Sequence, residues 1–322
     1  MKKVYCIGEM LIDFVAENQG KDLTKAHTFT KKAGGAPANV AAAIAKLGGD
    51  AYFVGAVGND PFGAFLIQTI AQLKVNTNFV QQCHTNFTTL AFVSLAEDGE
   101  RDFIFSRGAD KELTFDDEVA QSFAHQIIHF GAATSFLGGH LEKAYEAYLE
   151  KAVAQNAFIS FDPNHRPDLW KSNASHFIDQ SKNFIRKADF TKFSLEEALL
   201  ISGEKDMESA CKALHNLGAK LVAITLGKDG TYISTKGATH QVNSIAITPL
   251  DTTGAGDAFV GCFLKQVSQL ANPKEDILNT DLLLQMIKRA NIAGAVTAMQ
   301  YGAIASLPTE TQIDDLIVTY LP

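Results

Sequence analysis

Apolar positions along the chain follow two different periods in turn. Short runs that are apolar at nearly every position, such as "AYFVGAVG" and "LVAITL", are typical of buried strands. Between such runs lie segments with helical spacing, such as "PANVAAAIAKLGG", in which Val40, Ile44 and Leu47 share one face. Strands that alternate with helices predict βαβ units and a mostly parallel sheet.

The ends of these segments carry the expected signals. Pro37 suits a first helical turn and Gly48 a helix exit, while Asp60 is positioned to cap "PFGAFLIQTIAQL". The N-terminal run "VYCIGEMLIDFVA" is rich in β-forming residues. Because Glu9 and Asp13 interrupt it and no small-residue cleavage site follows, we interpret it as a first strand, not as a signal peptide.

Two segments depart from this alternation. "HTFTKKAGG" and "FTTLAFVSLAEDGERDFIFSRGAD" alternate apolar and polar residues with no helix between the strands. The acidic stretch 97–100 is typical of a hairpin turn, so the second segment predicts two antiparallel strands outside the main sheet. A small sheet of this kind would form a lid over the site or a dimer contact.

Composition narrows the possible classes of protein. The chain has 322 residues, of which 46% are hydrophobic and 20% charged, and this composition fits a globular protein. Its net charge of −8 shows none of the basic excess that binding to nucleic acid or to an anionic membrane requires. The four cysteines form no metal-ligand pattern, and no apolar stretch is long enough to span a membrane. We therefore expect a cytoplasmic protein with reduced thiols.

The stretch "PLDTTGAGDAFVGCFL" has three candidate explanations. A dinucleotide fingerprint would need a third glycine, but Phe259 occupies that place. A phosphate cradle would use the backbone N–H groups of residues 254–256 at a helix N-terminus, with Asp257 as a base for an attacking hydroxyl. Alternatively, Thr253 caps the helix and Asp257 only complements its dipole. The stretch alone leaves these last two explanations open.

Three further places favour a ligand site. Gly34 and Gly35 precede a helix with Asn39 in its first turn, Asp13 lies in an apolar run, and the predicted strand "AFISFD" ends at Asp162. Glycines permit close approach of a ligand, and a carboxylate in an apolar strand needs polar partners such as sugar hydroxyls. Each place also has a simpler explanation, as a turn with a cap, an edge residue or a surface loop.

Taken together, the motifs resemble a known family. "GGAPANVAAAIAKLG" and "DTTGAGDAFVGCFL" are similar to the two signatures of the ribokinase/pfkB carbohydrate kinases, and the resemblance runs essentially from end to end. "GEMLIDF", "ERDFIFSRGAD", "FDPNHRPDLW" and "TKFSLEEA" look most like the fructokinase branch. The resemblance implies a ribokinase-like three-layer α/β/α sandwich, a single domain over 1–322, with lid strands inserted at roughly 12–33 and 86–109.

The resemblance also implies roles for individual residues. Asp257 would be the catalytic base, with Gly254, Ala255 and Gly256 as the anion hole. The implied sugar-binding residues are Asp13, Gly34, Gly35, Asn39, Phe103, Arg107, Arg166 and Asp257. The implied nucleotide-binding residues are Lys192, Thr225, Gly227, Gly230, Gly254, Ala255, Gly256 and Asn291. The implied monovalent-cation residues are Asp251, Thr253, Gly302 and Ser306.

One position departs from the family pattern. Many members carry Asn-x-x-Glu near the Mg²⁺ shell, whereas this chain has "SLEE", with Ser194 in place of the asparagine and Glu197 retained. Because Mg²⁺ keeps much of its hydration, we expect Glu197 to act on it through water.

Three classes of function follow from the resemblance. The first is an ATP-dependent fructokinase that uses Mg²⁺, with K⁺ as a candidate activator, and transfers the γ-phosphoryl group to the 6-hydroxyl of fructose. The second is a kinase of 2-keto-3-deoxygluconate or of a riboside. The third is a sugar-binding protein without activity, which an intact "GAGD" disfavours. We expect a homodimer formed through the lid.

Overall fold

The computed structural model describes residues 1–17, 20, 22–95 and 101–320. The predicted hairpin turn at 97–100 lies outside these residues. Within them, no helix is long and apolar enough to cross a membrane.

Most of the strands form one large sheet. Its strands are β1 (Val4–Ile7), β4 (Ala51–Gly58), β5 (Asn76–Cys83), β8 (Ile127–Gly131), β9 (Phe158–Asp162), β10 (Phe190–Ser194), β11 (Leu221–Thr225), β12 (Thr231–Ser234) and β13 (Thr239–Val242). Their order is β13-β12-β11-β10-β9-β8-β1-β4-β5. All pairs from β5 to β11 are parallel, and β12 and β13 are added antiparallel at one edge.

The helices connect these strands and cover the sheet. They are α1 (Ala36–Lys46), α2 (Pro61–Gln72), α3 (Asp117–Gln121), α4 (His140–Ala154), α5 (Pro167–Trp170), α6 (Ala174–Ile185), α7 (Leu195–Ser202), α8 (Met207–Leu217), α9 (Ala255–Val267), α10 (Pro273–Asp276), α11 (Thr280–Ala298) and α12 (Glu310–Tyr320). The described residues also contain two short 3₁₀ segments, Ala109–Glu112 and Gly227–Asp229.

The large sheet has a hydrophobic core on each face. Side chains of a strand point alternately to the two faces, so Val4 and Cys6 join the core formed with α1, α9 and α11, whereas Tyr5 and Ile7 join the core formed with α4, α6 and α8. Strands buried on both faces need continuous apolar runs, which is the pattern seen in the sequence. The predicted α/β/α sandwich is confirmed.

The remaining strands form a separate small sheet. They are β2 (Leu11–Ala16), β3 (Phe29–Gly34), β6 (Leu90–Leu95) and β7 (Arg101–Ser106), in the order β3-β2-β6-β7. β6 and β7 are antiparallel, as their alternating pattern predicts.

The run "VYCIGEMLIDFVA" is divided between the two sheets, so its interpretation as one strand is wrong. The chain breaks at Gly8, whose φ is +147°. A Cβ at this position would lie 2.5 Å from the Pro37 ring and 2.6 Å from the Tyr145 hydroxyl, so the bend requires glycine. The apolar pattern continues through the bend because β1 and β2 are both buried on at least one face.

Helix N-termini differ in a way that bears on the site. Asp60 caps α2, as predicted, and accepts the N–H groups of Phe62 and Gly63 at 2.9 Å. In contrast, α1 begins after Gly35 (φ +103°) and α9 after Gly254 (φ +80°), and neither has a side-chain cap. The first turns of α1 and α9 therefore keep N–H groups available to a ligand.

Helices α1 and α9 pack closely against each other. The contact depends on Gly261, because a Cβ there would lie 2.5 Å from the Cβ of Ala43. Their first turns consequently lie side by side.

Candidate active site

A cavity of about 900 Å³ lies between the large sheet and the small one. Its floor is formed at the carboxyl ends of the parallel strands, where ligands bind in open α/β sheets. Glu9 follows β1, Thr134 follows β8, Asn164 follows β9 and Ser194 ends β10, and all four line the cavity. Strands β2, β6 and β7 of the small sheet supply the opposite wall.

Asn39 and Asp257 meet where the first turns of α1 and α9 come together. The side-chain amide of Asn39 donates to Oδ2 of Asp257 at 2.8 Å, and both residues line the cavity. They are 218 positions apart in the chain, so the fold brings the two sequence signatures into direct contact.

Asp257 is tuned toward a role as a base near neutral pH. Burial raises the pKa of its carboxyl to about 6, and the hydrogen bond from Asn39 opposes that rise. Nearby Asp162 raises the pKa further, whereas Lys192 and Arg166 lower it. A carboxylate with this pKa is ionised at pH 7 yet basic enough to accept a proton from a hydroxyl in a transition state.

Beside Asp257, the first turn of α9 forms a candidate anion-binding corner. The N–H groups of Gly254 and Gly256 have no acceptor within the described parts of the chain, whereas that of Ala255 donates to the Thr252 carbonyl at 3.2 Å. A Cβ at Gly254 would lie 2.6 Å from the Ala303 side chain, so only glycine fits. The alternative in which Thr253 caps this helix is wrong, because Gly254 is the N-cap and the Thr253 hydroxyl donates to Asp251.

A buried cation lies next to this corner. Lys192 Nζ lies 3.2 Å from Asp162 Oδ2 and 3.2 Å from the position that a Cβ of Gly256 would occupy. Burial alone would lower the pKa of Lys192, but Asp162, Glu197 and Asp257 more than offset this effect and the pKa is raised. Lys192 is therefore positively charged and adjacent to the free N–H group of Gly256.

Ser194 and Glu197 form a capping box at the start of α7. Ser194 Oγ accepts the Glu197 N–H at 3.2 Å, and Glu197 Oε2 accepts the Ser194 N–H at 2.7 Å. Glu197 Oε1 accepts the His165 N–H at 2.7 Å, and burial raises the pKa of this carboxyl. The serine that departs from the family pattern is thus the N-cap that orients Glu197, a role its S-x-x-E spacing signals.

No cluster of three or more His, Cys, Asp or Glu residues suited to a metal occurs in residues 1–17, 20, 22–95 and 101–320. Mg²⁺ does not need such a cluster, since it binds through one or two carboxylates, substrate phosphates and water. Glu197 and Asp162 both lie within reach of Lys192 and provide the hard oxygen donors that Mg²⁺ prefers. These residues fit a hydrated magnesium ion.

The four residues implied for a monovalent cation lie in two adjoining loops. Oδ1 of Asp251 accepts the Thr253 N–H at 3.0 Å, and Oδ2 accepts the Gly302 N–H at 3.0 Å, which joins the loops. The Ser306 hydroxyl donates to the Gly302 carbonyl. Asp251, Thr253 and Gly302 line the cavity.

Most of the implied sugar-binding residues lie together. Asp13, Gly35, Asn39, Phe103, Arg166 and Asp257 all line the cavity. Gly34 lies directly behind Asp13, since a Cβ there would be 2.0 Å from Asp13 Oδ2. The absence of a side chain at Gly34 thus leaves room for the carboxylate.

Arg107 is placed differently from the other implied sugar-binding residues and does not line the cavity. Its guanidinium donates to Asp110 Oδ2 at 3.1 Å and to the carbonyls of Leu137 and Gly138. These bonds attach the end of β7 to the loop after β8.

The residues implied for the nucleotide fall into two groups. Lys192, Gly254 and Gly256 line the cavity, whereas the other five do not, namely Thr225, Gly227, Gly230, Ala255 and Asn291. Asn291 is 6% exposed, and its amide is occupied by Thr231, Val242 and Asn243. Gly227 and Gly230 flank the 3₁₀ turn after β11, both with positive φ.

Three of the cavity residues that were not singled out from the sequence are polar and almost completely buried. Glu9, Ser94 and Thr134 line the cavity, and each is 1% exposed or less. Glu9 carried the signal that identified Asp13, namely a carboxylate within an apolar run. Ser94 and Thr134 carry no such signal, because an isolated hydroxyl residue in a strand or loop is common.

A carboxylate with a raised pKa beside a helix N-terminus with free N–H groups and a buried lysine is the arrangement expected of an enzyme of the phosphoryl-transfer class. Comparison with known proteins narrows this class. Residues 1–310 match the pfkB family of carbohydrate kinases. The chain therefore belongs to the pfkB carbohydrate kinase family and is a sugar kinase.

Several relatives match this chain over nearly their full length. Fructokinase-2 of Zea mays is 37% identical over 324 residues, which cover 98% of this chain and 93% of the relative. The crystal structure of a fructokinase with bound ATP from Xylella fastidiosa is 30% identical, covers 98% of both chains and superposes with a TM-score of 0.88. A fructokinase double mutant from Vibrio cholerae with fructose, ADP and potassium ion is 29% identical with 98% of both chains covered and a TM-score of 0.85.

Proposed function

We propose that this protein is an ATP-dependent fructokinase, which transfers the γ-phosphoryl group of ATP to the 6-hydroxyl of fructose and gives fructose 6-phosphate and ADP. The observation that carries the proposal is the Asn39–Asp257 pair at the junction of two uncapped helix N-termini within one cavity. The similar fructokinases from maize, Xylella and Vibrio support fructose as the acceptor and ATP as the donor.

In this proposal Asp257 accepts the proton of the attacking hydroxyl. General base catalysis of this kind typically contributes a factor of about 10²–10⁴ in rate. Asn39 holds one oxygen of the carboxylate, which leaves Oδ1 to face the acceptor. Asp13, Gly35 and Phe103 position the sugar so that its terminal hydroxyl points toward Asp257.

The free N–H groups of Gly254 and Gly256 and the charge of Lys192 stabilise the negative charge that grows on the transferred group. One well-placed donor of this kind is worth on the order of 10²–10³ in rate. Ala255 would join them by releasing its N–H from the Thr252 carbonyl. Mg²⁺, held through water by Glu197 and near Asp162, would neutralise the phosphate charge. The turn Thr225–Gly230 and Asn291 would shape the remainder of the nucleotide site.

K⁺ is proposed as an activator that binds between the loops of Asp251 and Gly302. The Vibrio relative contains a potassium ion, and Asp251 joins the two loops in this chain. A cation there would fix the loop that leads into Gly254, and with it the anion-binding corner.

The small sheet is proposed to act as a lid that closes over the sugar and excludes water, which limits hydrolysis of ATP. Its exposed edges would be covered in a homodimer. Cytoplasmic localisation is part of the same proposal.

A keto-acid acceptor is the closest alternative, and one contact argues against it. A carboxylate would need cations, and Arg107 and Arg166 are the arginines that the sequence offered. Arg166 lines the cavity, but the guanidinium of Arg107 is committed to Asp110 and two carbonyls. A neutral sugar fits this arrangement better.

A coupled assay of ADP release tests the proposal, with fructose, ribose, 2-keto-3-deoxygluconate and a purine riboside as acceptors. We expect the highest kcat/KM with fructose and a loss of activity when K⁺ is omitted. Preference for the keto acid or the riboside would replace fructokinase by the corresponding kinase. Absence of turnover with all four acceptors would contradict the proposal.

A further inference from the structure

Four buried side-chain oxygens, all on residues that line the cavity, have no hydrogen-bond partner within the parts of the chain that the structure describes. They are Glu9 Oε2, Asn39 Oδ1, Ser94 Oγ and Thr134 Oγ1. Buried polar atoms almost always have a partner, because leaving one unpaired costs about 1–3 kcal/mol. Four other buried unpartnered atoms are scattered on residues outside the cavity, so it is the clustering on the residues of one cavity that points to a ligand with several hydroxyl groups.

Glu9 and Thr134 belong to the floor of the cavity. They follow β1 and β8, which are neighbours in the sheet with Ile7 opposite Phe130. Both therefore lie where the carboxyl ends of these two strands open into the cavity. Glu9 is 1% exposed and Thr134 is fully buried, so neither is satisfied by bulk water.

The backbone at Glu9 is rigidly placed beside the start of α1. A Cβ at Gly35 would lie only 2.4 Å from the Glu9 carbonyl oxygen, so the two chain segments are in close contact. A backbone held in this way fixes the point from which the Glu9 side chain extends, which lowers the entropic cost of recognition.

Glu9 is a neutral carboxylic acid near neutral pH. Burial raises its pKa to about 8, and Asp110 and Asp257 raise it while Arg166 lowers it. A protonated carboxyl has one O–H to donate and retains acceptor capacity. The Thr134 hydroxyl likewise donates and accepts. Hydroxyl groups of a sugar complement both side chains, whereas an anionic group would find no cation from either of them.

We propose that Glu9 and Thr134 are specificity-determining residues that hydrogen-bond hydroxyl groups of a neutral, polyhydroxylated acceptor from the floor of the cavity. This inference rests on the proposed sugar kinase function. It adds acceptor contacts beyond those implied by the two sequence signatures. The alternative is a purely structural role, in which either side chain contributes to folding and makes no contact with the acceptor.

Binding of fructose to the nucleotide-free protein, measured by calorimetry, is the first test. We expect Glu9→Met and Thr134→Val each to weaken binding by about tenfold, the effect of one lost hydrogen bond. Glu9→Gln retains a donor and an acceptor and should stay within about threefold of the original affinity. Ser181→Ala is the matched control, because Ser181 Oγ is another buried unpartnered hydroxyl but does not line the cavity.

Monodeoxy derivatives of fructose separate contact from structure. Each derivative lacks one hydroxyl, so the one that lacks the partner of Thr134 should bind the Thr134→Val variant and the original protein about equally. The same reasoning applies to Glu9→Met with another derivative. Circular dichroism verifies that each variant is folded. If Glu9→Met does not fold, the nearly isosteric Thr134→Val variant still tests the proposal.

The proposal would be overturned if each variant weakened the binding of every deoxy derivative to the same extent, because a structural role lowers all affinities alike. Unchanged affinity for fructose in Thr134→Val and Glu9→Met would also overturn it. If the original protein instead phosphorylates a different acceptor of the panel, fructokinase fails as the function and the deoxy series of that acceptor is used. Failure to bind any of the four acceptors would overturn both proposals.

Discussion

The proposed acceptor end and the proposed nucleotide end of the site present polar groups in opposite ways. At the acceptor end, Glu9, Asn39 and Thr134 retain buried oxygens without partners among the described residues. At the nucleotide end, the amide of Asn291 is held by Thr231 and two carbonyls. The Thr225 hydroxyl there donates to the Phe193 carbonyl at 3.2 Å.

This difference indicates two modes of recognition. An end with unsatisfied side chains selects its ligand by hydrogen bonds, and a ligand that lacks the matching hydroxyl leaves buried atoms unpaired. An end whose side chains are already satisfied offers backbone N–H groups and shape. The acceptor end should therefore be sensitive to single side chains, and the nucleotide end to glycines and backbone geometry.

Replacement of Asp257 should have the largest effect. Asp257→Asn keeps the shape but cannot accept a proton, so we expect kcat to fall by about 10²–10⁴ while fructose affinity changes little. Steady-state kinetics and calorimetry measure the two quantities. Asp281→Asn is the matched control, because Asp281 also lies in the first turn of a helix but is exposed and outside the cavity. Near-normal turnover of Asp257→Asn would exclude Asp257 as the base.

Gly254→Ala should be the next most severe change. A Cβ at Gly254 would lie 2.6 Å from Ala303, and the residue has φ +80°, so the anion-binding corner must shift and kcat should fall on the order of 10²-fold. Gly203→Ala is the control, since Gly203 has φ +78° at the end of α7 and a Cβ there meets nothing within 4 Å. Both variants should lose about 1–3 kcal/mol of stability, but only Gly254→Ala should lose activity. Equal turnover in the two variants would contradict the role of this corner.

The pH dependence should follow the ionisation of Asp257. Its pKa is about 6, so kcat/KM should fall roughly tenfold for each pH unit below that value and level off above it. The Asn39 hydrogen bond lowers this pKa, so Asn39→Leu should shift the acid limb to higher pH. Rate profiles between pH 4.5 and 8 measure the acid limb of the original protein and that of the Asn39→Leu variant. An acid limb that is unchanged in Asn39→Leu would mean that another group controls it.

Thr225→Val should have the smallest effect if the nucleotide end relies on backbone and shape. Its hydroxyl bonds within the protein, so removal should cost about 1 kcal/mol of stability and change the KM for ATP by less than about threefold. Thr69→Val removes a similar hydroxyl-to-carbonyl bond in α2, remote from the cavity, and should match it in stability. A rise of about thirtyfold or more in the KM for ATP would show that the nucleotide end also depends on a single side chain, and would contradict the proposed difference between the two ends.

The sequence predicts the architecture well because each strand and helix has its own periodicity. The large sheet and the Asp60 cap follow from local signals, whereas the local pattern left open whether Thr253 caps α9. The break at Gly8 could not be predicted, because it depends on Pro37 and Tyr145, which lie far along the chain.

The site was predicted only as far as its residues belong to recognisable motifs. Asp257 and Asn39 were found separately, but the 2.8 Å bond between them exists only in the fold. Arg107 has the sequence context of a ligand-facing residue, yet its guanidinium binds Asp110. Thr134 has no local signal at all, because its proposed role rests on a hydroxyl that has no partner among the residues that the structure describes.

The tight contact at Gly261 bears on how the proposed chemistry of this enzyme relates to its choice of acceptor. By fixing α1 against α9, it places Asn39 and Asp257 on a single rigid unit. Glu9 and Thr134, which are proposed to select the acceptor, lie elsewhere, after the ends of β1 and β8. A protein engineer could therefore change these acceptor-pocket side chains one at a time without altering the relative positions of Asn39 and Asp257.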